Sequence, residues 1–216
     1  MEEKNQHLET LTEIRSLMEK SSRFISLSGL SGICAGIFAL IGAYAASVYL
    51  AIDPVLGDYS AYDGTSYSSP NVRSVSDFYT FFFTDAFLVL FFALAFGSYF
   101  TIRKAKKNNQ SIWGATSKRL LANLMIPLAT GGIFCLILLN HGLIDLIAPC
   151  TLIFYGLSLL NASKYTLNDI RYLGISEIVL GLIASYYTGY GLLFWGVGFG
   201  LLHIVYGSVM YFKYEK

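Results

Sequence analysis

The 216 residues are 55% apolar and only 13% charged, with 16 Tyr, 16 Phe and a formal net charge of +1. Soluble domains carry about 25% charged residues, so a chain at half that level cannot cover a water-facing surface. Near-neutrality also excludes nucleic acid as a partner, and the charge deficit is gathered into uncharged runs long enough to cross a bilayer.

The chain opens on a polar segment, residues 1–23, in which Leu8, Leu11, Ile14 and Met18 recur at helical spacing. This pattern predicts a cytoplasmic amphipathic helix lying on the membrane surface or against cytoplasmic loops. Its alternative use is as a docking helix for a protein partner or a dimer contact. The segment is too polar, and the apolar run behind it too long, for a cleaved signal peptide.

Residues 24–216 hold six apolar runs, each about the length of a transmembrane helix. They are roughly Phe24–Ile52, Phe78–Ile102, Leu120–Asn140, Leu143–Asn161, Ile170–Tyr187 and Gly191–Phe212. Asn140-His141-Gly142 and Thr188-Gly189-Tyr190 read as tight turns, because Gly beside a polar residue favours a chain reversal. The expected fold is therefore all-α, a six-helix transmembrane bundle with an extracytoplasmic loop at 53–76. With six spans, every Lys and Arg of the chain except Arg73 falls on one side. The excess of basic residues in cytoplasmic connections then places both termini in the cytoplasm.

The string GIFALI at 36–41 returns as GIFCLI at 132–137, and Arg23 and Arg119 stand at the same distance before Gly36 and Gly132. Gly29, Ser31, Ile33, Gly36 and Ala39 match Gly174, Ser176, Ile178, Gly181 and Ala184 of the fifth run. Phe96-Gly97-Ser98 and Tyr206-Gly207-Ser208 echo each other in the inward-running helices. These matches predict three parallel helical hairpins, an arrangement found in transporters and elsewhere. The stretch SSRFISLSGLSGICAGIFALIGAY, residues 21–44, resembles the first helix of a group of small uncharacterised bacterial inner-membrane proteins. That resemblance implies a multi-pass place in the bacterial inner membrane and brings no activity with it.

Glycines four apart share a helix face and let backbones approach. Gly32, Gly36, Gly132, Gly181, Gly196 and Gly200 are accordingly expected at helix contacts. Cys34, Cys135 and Cys150 lie inside apolar spans without CxxC or Cys/His spacing, which supports neither a metal site nor a disulfide framework. Asp53, Asp58 and Asp63 of the outer loop recur every five residues, which is not the alternation of a calcium loop. Trp113 beside Lys118 and Arg119 suits the headgroup layer.

Two ionisable residues fall deep in the spans. Glu177 lies about 9 Å in from Arg171, and His203 about 15 Å in from Lys213, at 1.5 Å per helical residue. An ionisable group inside a membrane is a functional candidate whose partner must be named, and a Glu–His pair can relay protons. The bland alternative has Glu177 hydrogen-bonded to a neighbouring helix and His203 bonded separately to a carbonyl or a Tyr. His141 sits in an outer turn, too shallow to join His203 in a two-histidine haem site, and no cofactor is expected. Hydrolase, phosphate-loop and metalloprotease motifs are absent, and Ser176 or Ser185 beside His203 is only a weak nucleophile pair.

The leading expectation is a non-enzymatic, regulatory or scaffolding membrane protein, a homo-oligomer or one with a partner bound through residues 1–23. The second is a small transporter or channel, proton-linked through Glu177 and His203.

Overall fold

The structure is a computed structural model and describes residues 27–52, 75–107 and 113–216. The N-terminal helix with Leu8, Leu11, Ile14 and Met18, and the loop at 53–74 with Arg73, lie outside the described residues. Among the described residues there is no strand. Six helices follow in order: α1 Gly29–Ile52, α2 Val75–Lys107, α3 Ala115–Asn140, α4 Ile147–Ala162, α5 Asp169–Tyr186 and α6 Gly191–Tyr214. α6 is α-helical at Gly191–Trp195 and His203–Tyr214, with a π-helical stretch at Gly196–Leu202 between them.

Five of the six helices are long and apolar enough to cross a membrane. The fourth span is α4 taken with its flanking 3-10 turns, Ile144–Tyr165; the exception, α5, carries Asp169, Arg171 and Glu177, yet it packs along α4 in one of the two most extensive helix contacts of the bundle. Its buried stripe is Ile170, Leu173, Gly174, Glu177, Gly181 and Ala184, whereas Tyr172, Ile175, Val179, Leu182 and Ile183 are exposed. Beyond Ile170 and Leu173 the stripe is small and polar inside with bulky apolar residues outside, the reverse of a water-soluble helix. It is the pattern of a helix facing lipid, and α2 repeats it with Phe83, Phe87, Leu90, Phe91 and Leu94 outermost. These are the helices of a multi-pass membrane protein.

The predicted turns are present, at Gly142 with φ of +73° and Gly189 with φ of +91°. α2 is longer than its apolar run suggests. It starts at Val75 and continues through the basic stretch to Lys107, because Lys104 is drawn into contacts with α1 and the end of α6.

Two glycine seams hold the bundle. Between α1 and α6, a methyl group on Gly36 would stand 2.6 Å from the Gly200 carbonyl, and one on Gly207 would stand 2.6 Å from the Ile33 nitrogen. Between α4 and α5, a methyl group on Gly156 would meet the Gly174 carbonyl at 2.6 Å, and one on Gly174 the Gly156 carbonyl at 2.8 Å. Gly36 faces the Gly200 carbonyl and Ile204, and Gly181 faces the Pro149 carbonyl and Ile153, so the two glycines matched in sequence sit in one packing geometry. Gly32 lies against Gly207, and Gly196 faces Ala43.

Gly132 departs from expectation. Nothing lies within 4 Å of where its Cβ would be, and its neighbour Gly131 is the buried glycine, set against Phe154. A helix turns about 100° per residue, and α3 meets only one side of the bundle through α4. One of two adjacent glycines must therefore face outward. The two ends of the GIFALI and GIFCLI match thus do different work.

The ends of α1, α2 and α6 are stapled by one carboxylate. Glu215 Oε1 accepts from the Gly29 N–H at 2.5 Å and from Lys104 Nζ at 3.3 Å, and its Oε2 accepts from Ser28 Oγ at 3.2 Å. A negative charge at the first turn of α1 also complements the helix dipole. Beside it, Asp169 at the start of α5 accepts from Lys213 Nζ at 3.0 Å and Tyr214 Oη at 2.6 Å. This end, hereafter the basic end, carries every Lys and Arg among the described residues.

Two outcomes follow for stability. Gly207→Ala should lower the thermal unfolding midpoint in detergent, since overpacking costs about 1–3 kcal/mol, while Gly132→Ala should leave it unchanged or raise it by the helix preference for Ala. Burial alone would raise the Asp169 carboxyl, but the hydrogen bonds from Tyr214 and Lys213 outweigh it and hold it below the usual range. A depressed carboxyl contributes stability above its unfolded value and loses it as pH falls through the folded one. The midpoint should therefore drop as pH is lowered below about 4, and less steeply in Asp169→Asn.

Candidate functional site

The structure brings Glu177 and His203 together. Glu177 is fully buried at 0% exposure, and His203 is 7% exposed. Glu177 Oε1 lies 3.5 Å from His203 Nδ1. That separation is too long for a good hydrogen bond, and both carboxyl oxygens are without a hydrogen-bond partner. His203, in contrast, is bonded on both ring nitrogens, Nε2 to Tyr155 Oη at 2.8 Å and Nδ1 to the Gly198 carbonyl at 3.0 Å. The bland alternative thus describes His203, with its Tyr and its carbonyl, and does not describe Glu177.

Local sequence explains how the three side chains meet. Glu177 stands on the small-residue stripe of α5, between Gly174 and Gly181, where α4 comes closest. Tyr155 is the residue before Gly156, at the centre of the α4–α5 seam. His203 follows the π turn at Gly196–Leu202. In an α-helix, residues five apart lie about 140° apart around the axis, which would point Gly198 and His203 in different directions. The wider π turn, a feature frequent at functional sites, brings the Gly198 carbonyl and the His203 ring to one side.

The glycines of this turn divide the work. Gly196 and Gly200 face Ala43 and Leu40 of α1, whereas a methyl group on Gly198 would stand 2.5 Å from Glu177 Oε2 and from Leu152. Gly198 therefore lets the α6 backbone press directly onto the carboxyl group. Phe199 lies between the rings of Trp195 and His203, with centroid separations of 5.0 and 5.9 Å, and packs on Tyr155 at 4.9 Å.

One to two turns toward the basic end, apolar side chains pack beneath the site. Leu159, Leu173 and Met210 lie below Tyr155, Glu177 and His203 on the same helices, and with Leu167 and Ile170 they form the buried core cluster. Toward the opposite end the α5 stripe continues as Gly181 and Ala184.

Neither oxygen of Glu177 has a hydrogen-bond partner among the described residues. Ionised, it would be a charge in a low-dielectric interior, with the His203 Nδ1 3.5 Å away. Groups left in this condition are rare in native structures and call for an explanation.

Sequence reasoning offered His203 a Tyr or a carbonyl without naming Tyr155 or Gly198. Tyr155 lies nine residues before Lys164, about 14 Å in from the basic end, nearly the depth of His203. Matching depth across spans for Tyr as well as for charged residues finds it, and three glycines at alternate positions mark the π turn. Among the described residues, no group of three or more His, Cys, Asp or Glu is placed to hold a metal. The chain matches no protein-family model, no curated protein and no solved structure.

A carboxyl group retained for packing stabilises the fold, while one retained for chemistry is a burden. Replacing a buried charged group by an apolar one of similar volume is often neutral or stabilising by about 1–4 kcal/mol. Glu177→Met should therefore keep or raise the thermal midpoint in detergent, and a clear fall would show that the carboxyl is holding helices together.

Proposed function

We propose that this chain is a small, non-enzymatic, proton-linked transporter or channel, with Glu177 as its proton carrier and His203 as the partner of that carrier. The observation that carries the reading is the fully buried Glu177 carboxyl, with neither oxygen hydrogen-bonded, 3.5 Å from an imidazole at a π turn. Intramembrane carboxyl and histidine groups mark ion pathways and proton relays.

The reading places the chain in a bacterial inner membrane with both termini cytoplasmic. Its support is the gathering of every described Lys and Arg at one end of the bundle. It keeps three parallel hairpins as the ancestral plan, supported by the shared packing of Gly36 and Gly181 and weakened by the outward-facing Gly132. Tyr155 and Glu177 belong to the α4–α5 pair and His203 to the α1–α6 pair, so the site spans the joint between two tightly seamed units. A joint of that kind is where a transporter changes access. The regulatory or scaffolding reading depends on residues 1–23 and gains nothing from this site.

Purified protein in liposomes under an imposed pH gradient, followed with an internal pH-sensitive dye, tests the proposal. Wild-type protein should dissipate the gradient faster than protein-free vesicles, and Glu177→Gln should return the rate to that of empty vesicles. Equal rates for wild type and Glu177→Gln would remove Glu177 from the pathway.

A further inference from the structure

We infer that His203 serves Glu177 as a hydrogen-bond donor and not as a base, and that Tyr155 and the Gly198 carbonyl are the positioning groups that make it so. This rests on the reading of Glu177 as the proton carrier and deepens it. The Gly198 carbonyl can only accept, so the Nδ1 it faces at 3.0 Å must carry the ring hydrogen. In the neutral imidazole Nε2 is then a lone pair, and Tyr155 Oη, 2.8 Å away, donates to it. Both nitrogens are thereby committed, and the nitrogen that faces Glu177 has no lone pair with which to take its proton.

What the Nδ1 hydrogen can do is choose between acceptors. Gly198 O holds it at 3.0 Å, and Glu177 Oε1 waits at 3.5 Å. A carboxylate is a much stronger acceptor than a carbonyl, since charge-assisted hydrogen bonds are about twice as strong as neutral ones. When Glu177 gives up its proton to a water, which leaves as hydronium, the hydrogen bond passes from Gly198 O to Oε1; no covalent bond of His203 is made or broken. His203 from α6 faces Glu177, Tyr155 from α4 bonds His203, and a methyl group on Gly198 would meet Glu177 Oε2 together with apolar Leu152 and Leu180.

The exchange leaves the Gly198 carbonyl without its side-chain partner, and that carbonyl belongs to the π turn. The proton state of Glu177 is in this way written into the backbone of α6. Beyond the turn, the basic-end half of α6 is pinned through Lys213 and Tyr214 to Asp169. The other half, Gly191–Leu202, has the Trp195 indole N–H as its only side-chain hydrogen-bonding group.

Nitrogen and carbon NMR on the full chain in lipid nanodiscs tests this. In a His7→Gln, His141→Gln background, His203 is the one remaining imidazole, and Gly198–Phe199 is the only Gly–Phe step in the chain, so paired labelling isolates its carbonyl. As pH is scanned, Nδ1 should stay protonated and Nε2 unprotonated, while the Nδ1 and Gly198 carbonyl signals shift at one common pH. Glu177→Gln should abolish both shifts, and Tyr155→Phe should move the Nε2 signal to that of a nitrogen without a donor. An imidazolium appearing at the pH where Glu177 ionises, or an Nε2-protonated ring, would overturn the inference, as would an Nε2 signal unmoved by Tyr155→Phe. Shifts as described in a protein that moves no protons across liposomes would sustain the inference and sink the transport reading.

Discussion

Backbone laid on backbone, along the glycines of α1 against α6 and of α4 against α5, fixes where every other group in this bundle can stand. Helices in lipid have no hydrophobic force drawing them together, so close packing must supply the association. At Gly36, Gly156, Gly174 and Gly207 the neighbouring backbone occupies the space of a side chain. The consequence is a molecule made of two rigid pairs, with α2 and α3 attached outside them through α1 and α4. The joint between the pairs is packed by particular side chains, with Gly198 admitting the α6 backbone to Glu177.

That joint holds Glu177, His203 and Tyr155. Lipid obliges a membrane protein to satisfy its polar groups internally, and the chain does so elsewhere with care. Ser158, Ser185 and Ser208 each bond the carbonyl four residues earlier, and Glu215 answers two donors at the start of α1. Against that background the Glu177 carboxyl stands out, fully buried with neither oxygen bonded. The neighbouring π turn and the glycine that admits the backbone to the carboxyl make the same point. Strain and unsatisfied groups persist where the surroundings hold them in place, and they gather at sites that must change state.

Much of this was readable from the residues alone. The six runs, both tight turns and the gathering of basic residues follow from a transfer energy that is large and summed over about 20 residues. The depths of Glu177 and His203 followed from the rise per residue, and their meeting was allowed by it. The roles of Gly131 and Gly132 were not legible, because adjacent glycines differ only in which way the helix is turned, and that is set by the partner. Tyr155 was hidden for another reason: a Tyr in a membrane chain with 16 of them carries no signal until its depth is matched to a specific imidazole. The π turn lay in plain sight as alternate glycines, but its effect on the facing of His203 is a property of the folded helix.

The central claim is that the Glu177 carboxyl, enclosed between α4, α5 and α6, gains and loses a proton in the membrane. Infrared difference spectroscopy of the protein in lipid, scanned across pH, reads this directly through the C=O stretch of a protonated carboxyl group. The account predicts a carboxyl band that appears and vanishes reversibly with pH, shifts in deuterated water and is missing from Glu177→Gln. A Glu177 band that stays constant over the whole range, or no band assignable to Glu177 at any pH, would mean a carboxyl fixed in one state, and the proton-carrier account would be wrong.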